Sequence, residues 1–143
     1  MVEAKLQWID GERFVANASS GHAMVIDANR ESNMGTGPME LVLLGLCSCT
    51  ATDIVNILRK KREPFTGVEV RAEAERAHEP PTVYTSIKLT YTVSGDVSRK
   101  AVEDAVRLSE EKYCSVAAML TSTARITWEI HLAQHGVTEL QKK

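Results

Sequence analysis

The side chains with most chemistry to offer in this sequence are three cysteines, Cys47, Cys49 and Cys114. A thiol can fill a core, ligate a metal or, as thiolate, act as a nucleophile and redox group. Cys47 and Cys49 lie two apart, about 200° around a helix of 3.6 residues per turn, so they cannot face the same way. At helical spacing Cys47 is joined by Leu44, Ala51, Ile54 and Leu58, all apolar. Cys49 is joined by Gly45, Leu46, Thr52, Asp53, Asn56 and Lys60, a stripe that turns polar. The pattern predicts Cys47 as core filler and Cys49 facing a polar or partly open surface. Cys114 stands just before Ser115, at the junction of two helical pieces. Either it meets the free amides and positive dipole end of a helix N-terminus, which stabilise thiolate, or it turns inward beneath Tyr113.

Structural zinc takes about four ligands, typically with C-x2-C spacing. Here the Cys-x-Cys pair diverges on its helix and no histidine is near it in sequence, so no metal is expected. His22, His78, His131 and His135 are scattered, form no Ser-His or Cys-His signature and read as solvated. No G-x-G-x-x-G, Walker loop or H-E-x-x-H is present, so neither nucleotide nor zinc-protease chemistry is indicated, and no cofactor is expected. The basic run Arg59 to Arg62 lacks interleaved aromatics in a chain of net charge -2, and reads as a helix end rather than a nucleic-acid patch. Three cysteines make no even disulfide framework, which suits a reducing compartment. The chain opens without a basic region followed by an apolar core. Its longest apolar run, around Leu41 to Cys47, falls short of the ~20 residues of a membrane span. The expectation is a soluble, cytoplasmic protein with neither nucleic acid nor membrane as partner.

The elements that must position these cysteines follow from periodicity. With 43% hydrophobic and 25% charged residues the chain has the composition of a globular domain, and its 143 residues suit a single one, 1–143. Strand-like pieces at Lys5–Ile9, Arg13–Ala18 and His22–Asp27 are separated by Asp10-Gly11 and Ser19-Ser20-Gly21. A polar loop, Ala28–Gly37, leads to Pro38 and Glu40, the form of a helix start. A helix is predicted from Pro38 to about Arg62, stopped by Glu63-Pro64, and its apolar first half marks it as buried and central. Val68–Arg76 and Val83–Val93 alternate with period two around Glu79-Pro80-Pro81, as in an antiparallel sheet with one wet face. Ser98–Lys112 reads as helix with Val102, Ala105, Val106 and Leu108 buried, Ser115–Thr121 as a short helix, Arg125–Leu132 as a last strand, and the lysine-ended tail as frayed. Strands segregated from helices give an α+β class.

Two segments resemble the OsmC/Ohr family of osmotically inducible and organic hydroperoxide resistance proteins. Gly35-Thr36-Gly37-Pro38-Met39-Glu40-Leu41, running through Gly45 to Cys49, is similar to the family's G-T-N-P-E-x-L stretch before the helix with the first catalytic cysteine. Lys112-Tyr113-Cys114-Ser115-Val116-Ala117 is similar to the segment holding the second. The resemblance implies an intertwined α+β homodimer, antiparallel sheets around two long central helices. It also implies thiol peroxidase chemistry: Cys49 is oxidised to a sulfenic acid by an organic hydroperoxide, and Cys114 condenses with it to a disulfide. A dithiol, lipoyl or thioredoxin-like, would then reduce that disulfide.

The chain departs from that pattern in three places. Met39 stands where the peroxidases have glutamate, with Glu40 one step around the helix, as in a Pro-Met-Glu sub-branch. The activating arginine is Arg30, which best matches the OsmC branch, or Arg13. Ser115, not proline, follows Cys114. The alternative function is therefore an OsmC-fold stress protein with weak or no catalysis, binding a small ligand or sensing redox state through its thiols.

Overall fold

Alternation of apolar and polar residues, the most local signal in the sequence, is what the computed structural model turns into sheet. It describes residues 1–133; the predicted tail and His135 lie outside them. Six strands and three α-helices make an α+β fold with two three-stranded sheets. The chain divides into two compact units, Met1–Leu44 and the residues from Gly45 on.

In the first unit, β1 (Ala4–Asp10), β2 (Arg13–Ala18) and β3 (Ala23–Asp27) form an antiparallel sheet in chain order. Its register aligns Leu6 with Ala16 and Met24, and Trp8 with Phe14 and Ile26, so all six share one apolar face. Leu6, Trp8 and Met24 are 53%, 69% and 50% exposed, so this face is largely uncovered within one chain.

The helix α1 (Pro38–Lys60) begins as its sequence predicts. Proline occupies the first helical position, and the Glu40 carboxylate accepts the Gly37 amide at 2.9 Å, closing a capping-box arrangement. At the other end Arg62 adopts φ 58°, and the Glu63 amide reaches the Leu58 carbonyl at 3.0 Å, a Schellman stop. The helix is not buried all round, however. Its fully buried row is Leu46, Thr50, Ile54 and Leu58, four residues apart. Leu44 is 55% exposed, and Cys47 and Cys49 flank the row, both half-buried. Cys47 is therefore not the core filler its apolar stripe predicts. Apolar spacing identifies a face suited to burial but not the element that covers it. By length and composition α1 could also cross a bilayer, because Ser48, Thr50 and Thr52 interrupt the apolar run without disqualifying the helix. Core helices of soluble proteins pass the same test.

In the second unit β4 (Phe65–Arg76) and β5 (Tyr84–Gly95) form a long antiparallel hairpin. Ile87, Leu89, Tyr91 and Val93 point to its buried face as alternation predicts, each 1% exposed or less. The last strand, β6 (Arg125–Ala133), departs from the antiparallel expectation and runs parallel to β5. Parallel pairing requires a long crossover, and the helices between the two strands provide it. They are α2 (Arg99–Leu108), capped by Ser98, and α3 (Ser115–Leu120). Between them Ser109–Tyr113 widens into a single π-turn, where the sequence predicts unbroken α-helix to Lys112. Val102, Ala105 and Val106 are buried as expected, but Leu108 is 38% exposed, and the π-turn presents Ser109 inward instead.

Candidate redox site

The buried row of α1 fixes which way Cys49 points, since it neighbours the fully buried Thr50. One turn on, the Asp53 carboxylate accepts the Ser109 hydroxyl at 2.8 Å, tying the start of the π-turn to α1. The π-turn closes on itself through the Cys114 amide, which donates to the Ser109 carbonyl at 2.8 Å. π-Bulges are rare and concentrate at functional sites. Here the π-turn ends at Cys114, and Cys49 of α1 is among the groups that act on its thiol, so the two cysteines, remote in sequence, lie in one neighbourhood.

Both readings of Cys114 from sequence describe part of its setting. It is the N-cap of α3, its sulfur accepting the Ala117 amide at 3.3 Å, and it is turned inward, 3% exposed. Burial wins the electrostatic contest. It pushes the Cys114 thiol up to about 12, the Ala117 amide opposing and the neighbouring Cys49 adding to the rise. Cys114 therefore rests as a thiol. Burial also raises Cys47.

Beneath the pair lies a polar contact that the sequence did not flag. Tyr91, fully buried on β5, donates its hydroxyl to the Glu110 carboxylate at 2.6 Å. Burial, foremost, and the Glu110 carboxylate keep the phenol protonated, while the Thr50 hydroxyl of α1 donates to the Cys47 carbonyl at 3.1 Å. Burial raises the Glu110 carboxyl, with the Tyr91 hydrogen bond pulling the other way. An inward tyrosine on a strand needs a partner for its hydroxyl, which is a sequence-level signal. The sequence does not say whether Glu110 or the adjacent Glu111 answers it. Beside the π-turn an open cleft of about 430 Å³ is lined by Ile57, Leu108 and Tyr113 together with Asp53, Asn56, Lys60 and Lys61.

Arg30 and Glu40 are also brought together, in the first unit. Arg30 Nη1 meets Glu40 Oε1 at 2.9 Å, and Nη2 bonds the Asp27 and Gly35 carbonyls. The same Glu40 oxygen caps α1. The loop they hold is organised by Asp27, fully buried, whose carboxylate accepts the amides of Asn29 at 2.9 Å and Met34 at 3.0 Å and the Ser32 hydroxyl. Those bonds hold the Asp27 carboxyl below its usual range, the Ser32 bond most strongly. The run Asp27-Ala28-Asn29 carried an Asx-turn signal that sequence reasoning passed over. The other candidate, Arg13, pairs with Asp10 at 2.6 Å across the β1–β2 turn. His22 and His78 are exposed, as expected, and His131 pairs with Glu129 at 3.0 Å.

Residues 30–129 match the family model described as OsmC-like protein. Protein YhfA of Escherichia coli strain K12 is 40% identical over 127 residues, 88% of this chain and 94% of YhfA. A hypothetical protein from Aquifex aeolicus VF5 superposes with a TM-score of 0.81 at 32% identity, covering 94% of this chain and 98% of that one. An organic hydroperoxide resistance protein OsmC from Legionella pneumophila shares the fold, with a TM-score of 0.69 at 15% identity, covering 91% and 96%.

Proposed function

Because this chain belongs to the OsmC-like family, we propose that it is a thiol peroxidase that reduces organic hydroperoxides in stress defence, with Cys49 as the attacking and Cys114 as the resolving cysteine. The observation that supports this reading is that Cys49 acts on the buried Cys114 thiol, so that the two lie in one neighbourhood of the second unit. Cys49 as thiolate attacks the outer peroxide oxygen, the O–O bond breaks, and the alkoxide leaves as alcohol once protonated. Cys49 is left as a sulfenic acid, and Cys114 condenses with it to give a disulfide and water. A dithiol, lipoyl or thioredoxin-like, returns both cysteines to thiols by exchange.

The protein works in the cytoplasm as a homodimer in this reading. The mostly uncovered α1 and the exposed apolar face of the β1–β2–β3 sheet support a second copy as their cover, in preference to a membrane. The activating arginine in this reading is Arg30, which pairs with Glu40 at 2.9 Å.

The test is intact mass after one equivalent of tert-butyl hydroperoxide, with peptide mapping, followed by turnover of cumene hydroperoxide with a dithiol. Loss of two hydrogens mapped to a Cys49–Cys114 bridge, with turnover abolished in Cys49→Ser, is expected. Unchanged mass with Cys49 still alkylatable would refute it.

One observation favours the second reading, a thiol redox sensor with weak turnover. Met39 holds the usual glutamate position, and the oxygen that Glu40 turns to Arg30 also caps α1. Under that reading the bridge forms once but steady-state turnover stays near the rate of free cysteine.

A further inference from the structure

Closing a disulfide between Cys49 and Cys114 requires two separate elements to present their sulfurs at one fixed separation. Cys49 stands on α1, and Cys114 on the crossover between α2 and α3. The residue that ties these elements together is Ser109, whose every polar group is engaged. Its amide donates to the Ala105 and Val106 carbonyls of α2. Its carbonyl accepts the Cys114 amide at 2.8 Å, and its hydroxyl donates to Asp53 Oδ2 of α1 at 2.8 Å.

We propose that Asp53 and Ser109 form a positioning pair that sets the separation of Cys49 and Cys114 for the disulfide-forming step. Cys49 and Asp53 lie four apart on α1, so they share a face, one turn from each other. An unbroken path therefore runs from the face that carries Cys49, through Asp53 and Ser109, to the Cys114 backbone. At its end the Ala117 amide donates to the Cys114 sulfur at 3.3 Å and holds the thiol in place.

Two details set this tie apart from an ordinary buried hydrogen bond. Were the helix to continue in α register, the Cys114 amide would take the Glu110 carbonyl, four residues back. The π-turn reaches five back instead, to the residue that Asp53 holds. Asp53 is also half-buried with no ion-pair partner among the described residues, and Ser109 is fully buried. A half-buried carboxylate without a cation is a costly way to join a helix to a turn that apolar contact could join. What it adds is direction, because a charged acceptor fixes a hydroxyl at a short and defined distance.

The step that the pair serves needs no further reagent. Cys114 gives up its proton and its sulfur bonds the Cys49 sulfur. The S–O bond of the sulfenic acid breaks, and the departing hydroxide takes up a proton as water.

This inference rests on the peroxidase reading, and a competition experiment separates the two. The protein is mixed with one equivalent of tert-butyl hydroperoxide and graded amounts of a 1,3-dicarbonyl trap. Peptide mapping then reads trapped Cys49 sulfenic acid against the Cys49–Cys114 disulfide. Their ratio reports the resolving step alone, whatever the rate at which Cys49 attacks the peroxide. In Ser109→Ala and in Asp53→Ala the ratio should shift about 100-fold toward the trapped form, the scale of a misplacement of about 1 Å. The double variant should do no worse than either single one, because each removes the same bond. Asp53→Asn keeps an oxygen acceptor and should restore most of the parent's ratio. Val102→Ala, a fully buried change on α2, lowers stability without touching the tie and should leave the ratio unchanged. The parent's ratio in Ser109→Ala, an equal shift in Val102→Ala, or an Asp53→Asn as impaired as Asp53→Ala overturns the inference while the peroxidase reading stands. Neither trapped acid nor disulfide in the parent overturns that reading, and this inference with it.

Discussion

Replacing Cys114 by alanine should change how stability depends on pH, and the structure sets the size and sign of the change. In the unfolded chain the thiol loses its proton near its ordinary value of 9.0, whereas burial holds it to about 12 when folded. A raised folded value means that the contribution is fully present below pH 9 and is lost as pH climbs toward 12, because only the unfolded state ionises in that window. One pH unit corresponds to about 1.4 kcal/mol. At pH 8 the unfolded thiol is still nearly all protonated and the loss is negligible. At pH 10 it is about ten parts ionised to one, and the loss is on the order of 1 kcal/mol. Cys114→Ala also opens a small cavity, a cost that does not change with pH. The difference between parent and variant should therefore shift by roughly 1 kcal/mol in the variant's favour between pH 8 and 10. Urea unfolding under reducing conditions, at one protein concentration and at pH 8, 9 and 10, reads it directly. Parallel pH dependences over that range would show that the folded thiol is not held protonated.

Two further substitutions probe the loop that leads into α1. A Cβ on Gly35 would lie 2.6 Å from the Val25 carbonyl oxygen, a backbone atom that cannot swing away. Gly35→Ala should cost about 1–3 kcal/mol in denaturant unfolding, and an unchanged midpoint would show that the strand end gives way freely. Asp27→Asn should lower the melting temperature at pH 7, because three donors lose a charged acceptor. Since the native carboxyl is held low, that gap should close as pH falls below about 4, and melts at pH 7 and 3.5 check it.

The parts of this structure that were legible in the sequence are those written in local period. The alternation of Ile87, Leu89 and Tyr91 marked β5 and its buried face, and Gly37-Pro38 with Glu40 marked the start of α1. The expectation that Cys49 pairs with Cys114 rests on resemblance alone, since no local rule joins residues so far apart. Three features had no local signature. The direction of β6 depends on the crossover that precedes it, and alternation is the same for parallel and antiparallel strands. Cys47 sits in an apolar stripe, but only Ile54 and Leu58 of that stripe are fully buried in the chain. The π-turn is one residue of slack in an otherwise helical run, and the residues Ser109-Glu110-Glu111-Lys112 satisfy helical propensity either way.

The parallel pairing of β5 with β6 also sets a timetable for synthesis. The β4–β5 hairpin is local and can close as soon as Gly95 leaves the ribosome, but its sheet stays one strand short until Ala133 follows. At about 5–20 residues per second that interval lasts about 2–8 s. Throughout it β5 offers an open hydrogen-bonding edge, which favours capture by chaperones or by a neighbouring nascent chain. Cys114 emerges inside the same interval, on the crossover whose docking completes the sheet. Cys114 thus takes its place beside α1, where Ser109 bonds Asp53, only once that crossover docks.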